Sequence, residues 1–174
     1  MDSSKKASIL VAATLILLGG LFLVFNFIPG LTFGVLWPII FIVLAVGFFI
    51  PAMVWQEMRS GLAGMFIPGW ILLILGCIFF YNTISRDWVS WAYGWILLSS
   101  ATGIGLYSAA WYGGWDRVTR SVGLWMGVIS TGVFAVFAAL LGGTLFLKVL
   151  GAALLILGGL FFLFRSLRKP PQAE

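Results

Sequence analysis

Very little in these 174 residues could carry out a reaction. There is no histidine, Cys77 is the only cysteine, and five acidic side chains are scattered between Asp2 and Glu174. Acid–base catalysis needs a positioned proton donor or acceptor, a nucleophile needs a base beside it, and a metal needs convergent ligands. None of these sets can be assembled here. The expectation is therefore a chain with no catalytic residues, no metal site and no cofactor.

The polar side chains that remain are amides and hydroxyls. Asn26 and Asn82 stand near the ends of apolar runs, and Ser99, Ser100, Thr102 and Ser108 fall inside one. Such groups bond across helices or to a carbonyl one turn back, for about 0.6–2 kcal/mol each. Helix packing is their ordinary use, and a small-molecule pocket around Ser99 and Ser100 is the sharper alternative. Trp88, Trp91 and Trp95 recur at helical spacing. An amphipathic indole settles at the membrane interface, so an aromatic belt accounts for them. A groove for a lipid or isoprenoid would use the same three rings with Ser99 and Ser100.

The surrounding composition explains why chemistry is scarce. Hydrophobic residues make up 62% of the chain, charged ones 9%, and the mean hydropathy is +1.14. Soluble domains carry about 25% charged residues. This composition excludes a water-soluble domain and marks an integral membrane protein. A spanning helix needs about 20 apolar residues. Six stretches meet or approach that length: about 7–28, 33–55, 62–82, 88–111, 121–141 and 145–164. Between them lie Pro29-Gly30, the polar segments 56–61 and 82–87, the segment 112–117 and the segment 141–144. Lys5 and Lys6 before the first run resemble a secretory signal, but the run is longer than the 7–15 residues of such a core and no small-residue cleavage site follows. It is expected to be a retained helix.

Charge placement sets an orientation. With the N-terminus inside, the inner side holds eight basic residues, Lys5, Lys6, Arg59, Arg117, Arg120, Arg165, Arg168 and Lys169, and the outer side holds Arg86 and Lys148. That bias predicts six spans with both termini cytoplasmic. It also accounts for the net charge of +5 without nucleic acid. No ionisable residue sits at mid-span, which argues against an ion-coupled transporter, and the spans lack the polar face of a pore. Pro38, Pro51 and Pro68 are expected at helix ends, and Cys77 is expected to be a buried, inert thiol.

A shift of 56 residues superposes the chain on itself without a gap. Gly20, Gly76 and Gly132 coincide, as do Gly47, Gly103 and Gly159, and each first glycine is followed five residues later by Phe25, Tyr81 or Phe137. Three helix pairs in parallel orientation result, over about 7–58, 62–114 and 119–169, within one domain spanning 1–169. The six glycines are expected to face other helices, where a missing side chain permits close approach. The tail 170–174 is expected to be disordered.

The stretch from Gly19-Gly20 to Asn26 and on through Trp37-Pro38 to Gly47 resembles the LiaI/LiaF-type transmembrane module of bacteria. The resemblance weakens over 65–110 and is marginal beyond. A second resemblance, to HdeD-like proteins built from three helix pairs, fits the architecture better and the Trp-Pro motif less well. The LiaI/LiaF-type resemblance implies a place in envelope stress; a regulatory role through the soluble C-terminal domain of LiaF-type proteins is not expected to carry over. Neither resemblance supplies catalytic residues.

Together these observations predict a multi-pass protein of the bacterial inner membrane, non-enzymatic, acting as a scaffold or accessory in envelope homeostasis or stress response. Its partner surface would be Glu57, Arg59, Asp116, Arg117 and Arg120, and its partners membrane lipid, another membrane or peripheral stress protein, or further copies of itself. The alternative is binding or transport of a lipid or isoprenoid-like molecule.

Overall fold

In the computed structural model residues 3–27, 33–142 and 144–167 are described, and every regular element among them is helical. Helix α1 spans Ser3–Phe27, α2 Phe33–Leu36 and α3 Ile39–Val54. Helix α4, Arg59–Leu62, lies between 3-10 turns at Gln56–Met58 and Ala63–Met65 and leads into α5, Phe66–Ser85. A further 3-10 turn, Trp88–Ser90, opens onto α6, Trp91–Gly94, and α7, Ile96–Gly113. Helices α8, Arg117–Leu141, and α9, Leu145–Leu167, complete the chain. The Pro29-Gly30 turn, the side chain of Asn26, Arg168, Lys169 and the segment 170–174 lie outside the described residues.

Among the described residues, three helical stretches are long and apolar enough to cross a membrane: Gln56–Ser85, Arg117–Leu141 and Lys148–Arg165. Val11–Gly20 and Ile39–Val54 are shorter apolar helices. The fold is thus all-helical and of membrane character. The expected gap 56–61 is helical, and the expected gap 82–87 is helical as far as Ser85. Residues 56–61 form helical turns that continue into α5, and Asn82, Thr83, Ile84 and Ser85 are its last turn. Gln, Glu, Met and Arg are good helix formers, so their polarity marks a change of surroundings rather than the end of a helix.

The prolines act where a missing N–H matters little. Pro38 is the N-cap of α3 (φ −67°), with the Trp37-Pro38 turn separating α2 from α3. Pro68 falls in the first turn of α5, where no intrahelical donor is required. Pro51 differs, because it lies inside α3, one turn before the end, and its carbonyl accepts from Trp55 N–H at 3.2 Å.

Each long helix packs on its neighbours in sequence: α3 on α5, α5 on α7, α7 on α8 and α8 on α9, with α1 touching α3. Small residues fill the contacts. Ala45, Ala52, Ala63, Ala101, Ala109, Ala110 and Ala138 are fully buried, whereas Leu15, Val118, Leu140 and Leu145 are exposed. Lipid solvates large apolar side chains, so helices gain more by bringing backbones together than by hiding leucines.

The six glycines of the 56-residue register differ in their surroundings. At Gly103 an added Cβ would lie 2.3 Å from the Gly127 nitrogen, and at Gly76 it would lie 3.0 Å from Ile42 Cγ1. At Gly20, Gly47, Gly132 and Gly159 it would meet nothing within 4 Å. Gly105, Gly123 and Gly151 make the other backbone contacts instead, against Ile67, Tyr107 and Ala135. A serial row of helices gives each one its own neighbours, so positions 56 apart do not share surroundings. The expectation for Cys77 is corrected: it is exposed.

Candidate functional site

At one end of the bundle the segments before α5 and after α7 are tied together. Gly114, at φ 70°, takes the left-handed turn that ends α7, and Trp115 N–H returns to the Ala110 carbonyl at 3.0 Å. This closure swings the indole across the bundle, where Nε1 donates to the Ser60 carbonyl at 2.9 Å. Gly113 leaves the space it needs, since a Cβ there would lie 2.8 Å from that same Nε1. Phe49, Phe66, Trp70 and Tyr112 pack beneath around Ala52, Ala63 and Ala109.

The charged residues singled out in the sequence gather around this tie. Glu57, Arg59, Asp116 and Arg117 are exposed, and Arg120 is half-buried, its Nε lacking an acceptor. Asp116 is the N-cap of α8. Its Oδ1 accepts from the Thr119 hydroxyl at 2.5 Å and its Oδ2 from the Thr119 N–H at 2.9 Å. The hydroxyl first, then the N–H, hold its carboxyl below the ordinary value of 3.8.

At the opposite end a polar network is built on the α5–α6 turn. Arg86 closes α5 in the left-handed region at φ 55°. Ser85 Oγ donates to the Tyr81 carbonyl at 2.7 Å and accepts from Asp87 N–H at 3.2 Å. Asp87 Oδ1 caps the next turn by accepting from Ser90 N–H at 3.3 Å. Ser90 Oγ lies 2.7 Å from both the Asp87 carbonyl and Asn82 Oδ1. Asn82 is fully buried, and its Nδ2 has no acceptor. A buried amide donor left unpaired costs about 1–3 kcal/mol, so this one calls for an explanation.

Asn82 lines a cavity of about 360 Å³ enclosed by α5, the α6–α7 segment, α8 and α9. Ile78, Tyr93, Leu97, Phe134, Leu150 and Leu154 line it, and no described lining residue is charged. The Tyr81 hydroxyl, 2.6 Å from Thr144 Oγ1, closes the end between α5 and α9. Cys77 and Phe146 are exposed at its rim, so the space reaches the outer face of the bundle. Its size lies within the usual range of small-molecule pockets, about 300–1,000 Å³.

The tryptophan groove expected from sequence is not formed as drawn. Trp88 and Trp95 are about half exposed, at 51% and 53%, while Trp91 stacks on Phe79 with ring centroids 5.3 Å apart. Phe79 in turn meets Trp37 at 4.9 Å, so Trp91 belongs to an aromatic row between α3, α5 and α6. Ser99 is half-buried, and Ser100 is committed to packing: its Oγ donates to the Gly127 carbonyl at 3.2 Å and pairs with Thr131 Oγ1 at 2.5 Å. Thr102 and Ser108 bond back to Leu98 and Ile104 in their own helix, at 2.9 and 2.7 Å. Sequence reasoning missed Ser90 and Trp115 as tying residues. The Asp-x-x-Ser spacing of Asp87 and Ser90 offered a turn signal for the first; the second gave none beyond its adjacent glycines. No family model, no curated protein and no solved structure matches the chain.

Proposed function

We propose that this chain is a non-enzymatic, multi-pass protein of the bacterial inner membrane, a scaffold or accessory in envelope homeostasis or stress response. It has six crossings arranged as three helix pairs, with both termini on the cytoplasmic side, and acts through contacts made at its inner end. One observation carries the reading. The Trp115–Ser60 hydrogen bond draws Glu57, Arg59, Asp116 and Arg117 into one exposed surface. Polar groups of both signs held at one end by a buried aromatic cluster suit a peripheral partner better than they suit lipid. The LiaI/LiaF-type resemblance of the first helix pair agrees with an envelope-stress role.

The test is in-cell photo-cross-linking from positions 59 and 117, followed by mild-detergent purification and mass spectrometry. A stoichiometric partner, lost on reversing the charges of Glu57, Arg59 and Arg117, is the expected result. A protein that purifies alone from both positions overturns the reading. A second reading, binding of a lipid or isoprenoid-like molecule, is favoured by the uncharged cavity beside Asn82 rather than by the tryptophans.

A further inference from the structure

We infer that the cavity between α5 and α9 is a binding site for a neutral amphiphile, a long apolar chain ending in an uncharged oxygen, and that the Asn82 amide recognises that oxygen. The inference rests on the second reading above and assigns it a place and a chemistry. It is independent of the partner surface, which lies at the far end of α5 and α7.

Three observations converge. The wall is almost wholly hydrocarbon and aromatic, so the body of the ligand is apolar. No described lining residue is charged, so a phosphate or carboxylate head would be desolvated without a counter-charge. One polar side chain lining it, Asn82, is fully buried and carries a donor without an acceptor. Its carbonyl pole faces Ser90 Oγ at 2.7 Å and shares that hydroxyl's single proton with the Asp87 carbonyl. The amide is therefore held by the α5–α6 turn with Nδ2 left over. In a membrane, water is scarce and an unmet donor has few other sources of an acceptor. An alcohol, ketone or ester oxygen entering from the lipid supplies one.

The placement fits entry from the bilayer. Cys77 and Phe146, both exposed, stand at the rim, whereas Asn82, Ser90 and Tyr93 are buried. A ligand would pass its oxygen inward to Asn82 and leave its chain against Leu97, Phe134, Leu150 and Leu154. Selectivity would then arise at the amide, because the wall alone cannot tell a hydrocarbon from an alcohol of the same skeleton.

Cys77, the only cysteine in the chain, provides the readout. The full-length protein is placed in phosphatidylcholine–phosphatidylglycerol nanodiscs, and its modification by N-ethylmaleimide is followed by intact mass. Farnesol, farnesene and oleyl alcohol are added in separate titrations. Farnesol is expected to slow modification, and Asn82→Leu should raise the half-protecting concentration about tenfold. Farnesene, which lacks the oxygen, should protect weakly and equally in both proteins. Leu150→Trp, which fills the cavity, should abolish protection by every probe. Oleyl alcohol separates chain types: Asn82-dependent protection by either alcohol supports the inference and names a branched or a straight chain. Equal protection by farnesol and farnesene, or an Asn82→Leu titration that matches wild type, overturns the role of Asn82 while leaving apolar binding standing. No protection by any probe overturns both.

Asn82→Leu removes a buried unpaired donor together with the Ser90 contact, and Ser90 Oγ keeps the Asp87 carbonyl as its acceptor, so the variant should fold and melt close to wild type. Should it fail to fold, Asn82→Ser, which shortens the group and withdraws the amide donor, carries the same tenfold expectation.

Discussion

The indole N–H of Trp115 reaches the carbonyl of Ser60 at 2.9 Å, across 55 positions of sequence. This bond, with the left-handed turn at Gly114, locks the start of the α4–α5 segment to the end of α7. Trp115→Phe keeps the ring and removes the donor. The expected cost is about 0.5–1.5 kcal/mol, the usual net worth of such a hydrogen bond. Thermal unfolding in mild detergent should show a lowered midpoint, and cross-linking yield from positions 59 and 117 should fall with it. An unchanged midpoint would mean that the tie contributes nothing to holding the two segments together.

The α7–α8 contact depends on backbone meeting backbone. A Cβ on Gly103 would sit 2.3 Å from Gly127 N and 2.8 Å from Gly123 O, and neither atom can yield without moving a helix. Gly103→Ala should therefore cost about 1–3 kcal/mol, as overpacking of a close contact does. Gly132→Ala, where nothing lies within 4 Å, should be neutral or stabilising by about 0.5–1 kcal/mol through helix propensity. Parallel thermal melts of the two variants decide it. Equal losses would mean that α8 is covered on its Gly132 side as well.

These glycines also mark the limit of what sequence could say. The helical character of an apolar run such as 121–141 was legible, because such a stretch has one low-energy state in hydrocarbon, with every backbone group bonded inside it. The polar segments 56–61 and 82–87 did not reveal that helix runs through the first and up to Ser85 in the second, since polarity reports the membrane edge while helix propensity decides the backbone. Which glycine meets which helix was not legible. Helices apolar on every side present no buried stripe to read, so spacing cannot separate Gly103 from Gly132. The cavity was out of reach for a similar reason. Asn82 could be seen as a polar residue near a helix end, but the cavity it lines takes Ser90 and, 52 positions away, Phe134 of another helix.

Arg86 holds a conformation suited to glycine. It ends α5 at φ 55°, ψ 18°, where a side chain on an L-residue costs roughly 1–2 kcal/mol. Arg86→Gly should relieve part of that cost and raise the unfolding midpoint, the greater flexibility of glycine in the unfolded chain offsetting the rest. Arg86→Val, β-branched, should lower it. Melting both variants at high ionic strength removes the effect of the lost charge. A midpoint that falls in Arg86→Gly would show that the arginine side chain makes a contribution larger than the strain it bears.

Asp116 gives the inner surface a defined response to acid. Its carboxyl lies below the ordinary 3.8 because the Thr119 hydroxyl and then the Thr119 N–H bond to the charged form. A depressed folded-state value means that the stabilisation is fully present above the unfolded-state value. It is lost as pH falls through the folded one. The N-cap contribution to α8 should thus be constant from neutral pH down to the ordinary carboxylate range and decline below it. Thr119→Val removes the largest cause and brings the folded-state value closer to the unfolded one, so the decline should be smaller than in wild type and end at higher pH. Asp116→Asn still offers an oxygen to the Thr119 N–H but cannot titrate there, so this part of the acid response should vanish. Midpoints measured between about pH 3 and 7 in nonionic detergent, taken as differences from wild type, isolate this residue from the other acids. If the Thr119→Val difference is flat across that range, the hydroxyl does not set the titration of Asp116, and its cap is equally strong with or without the charge.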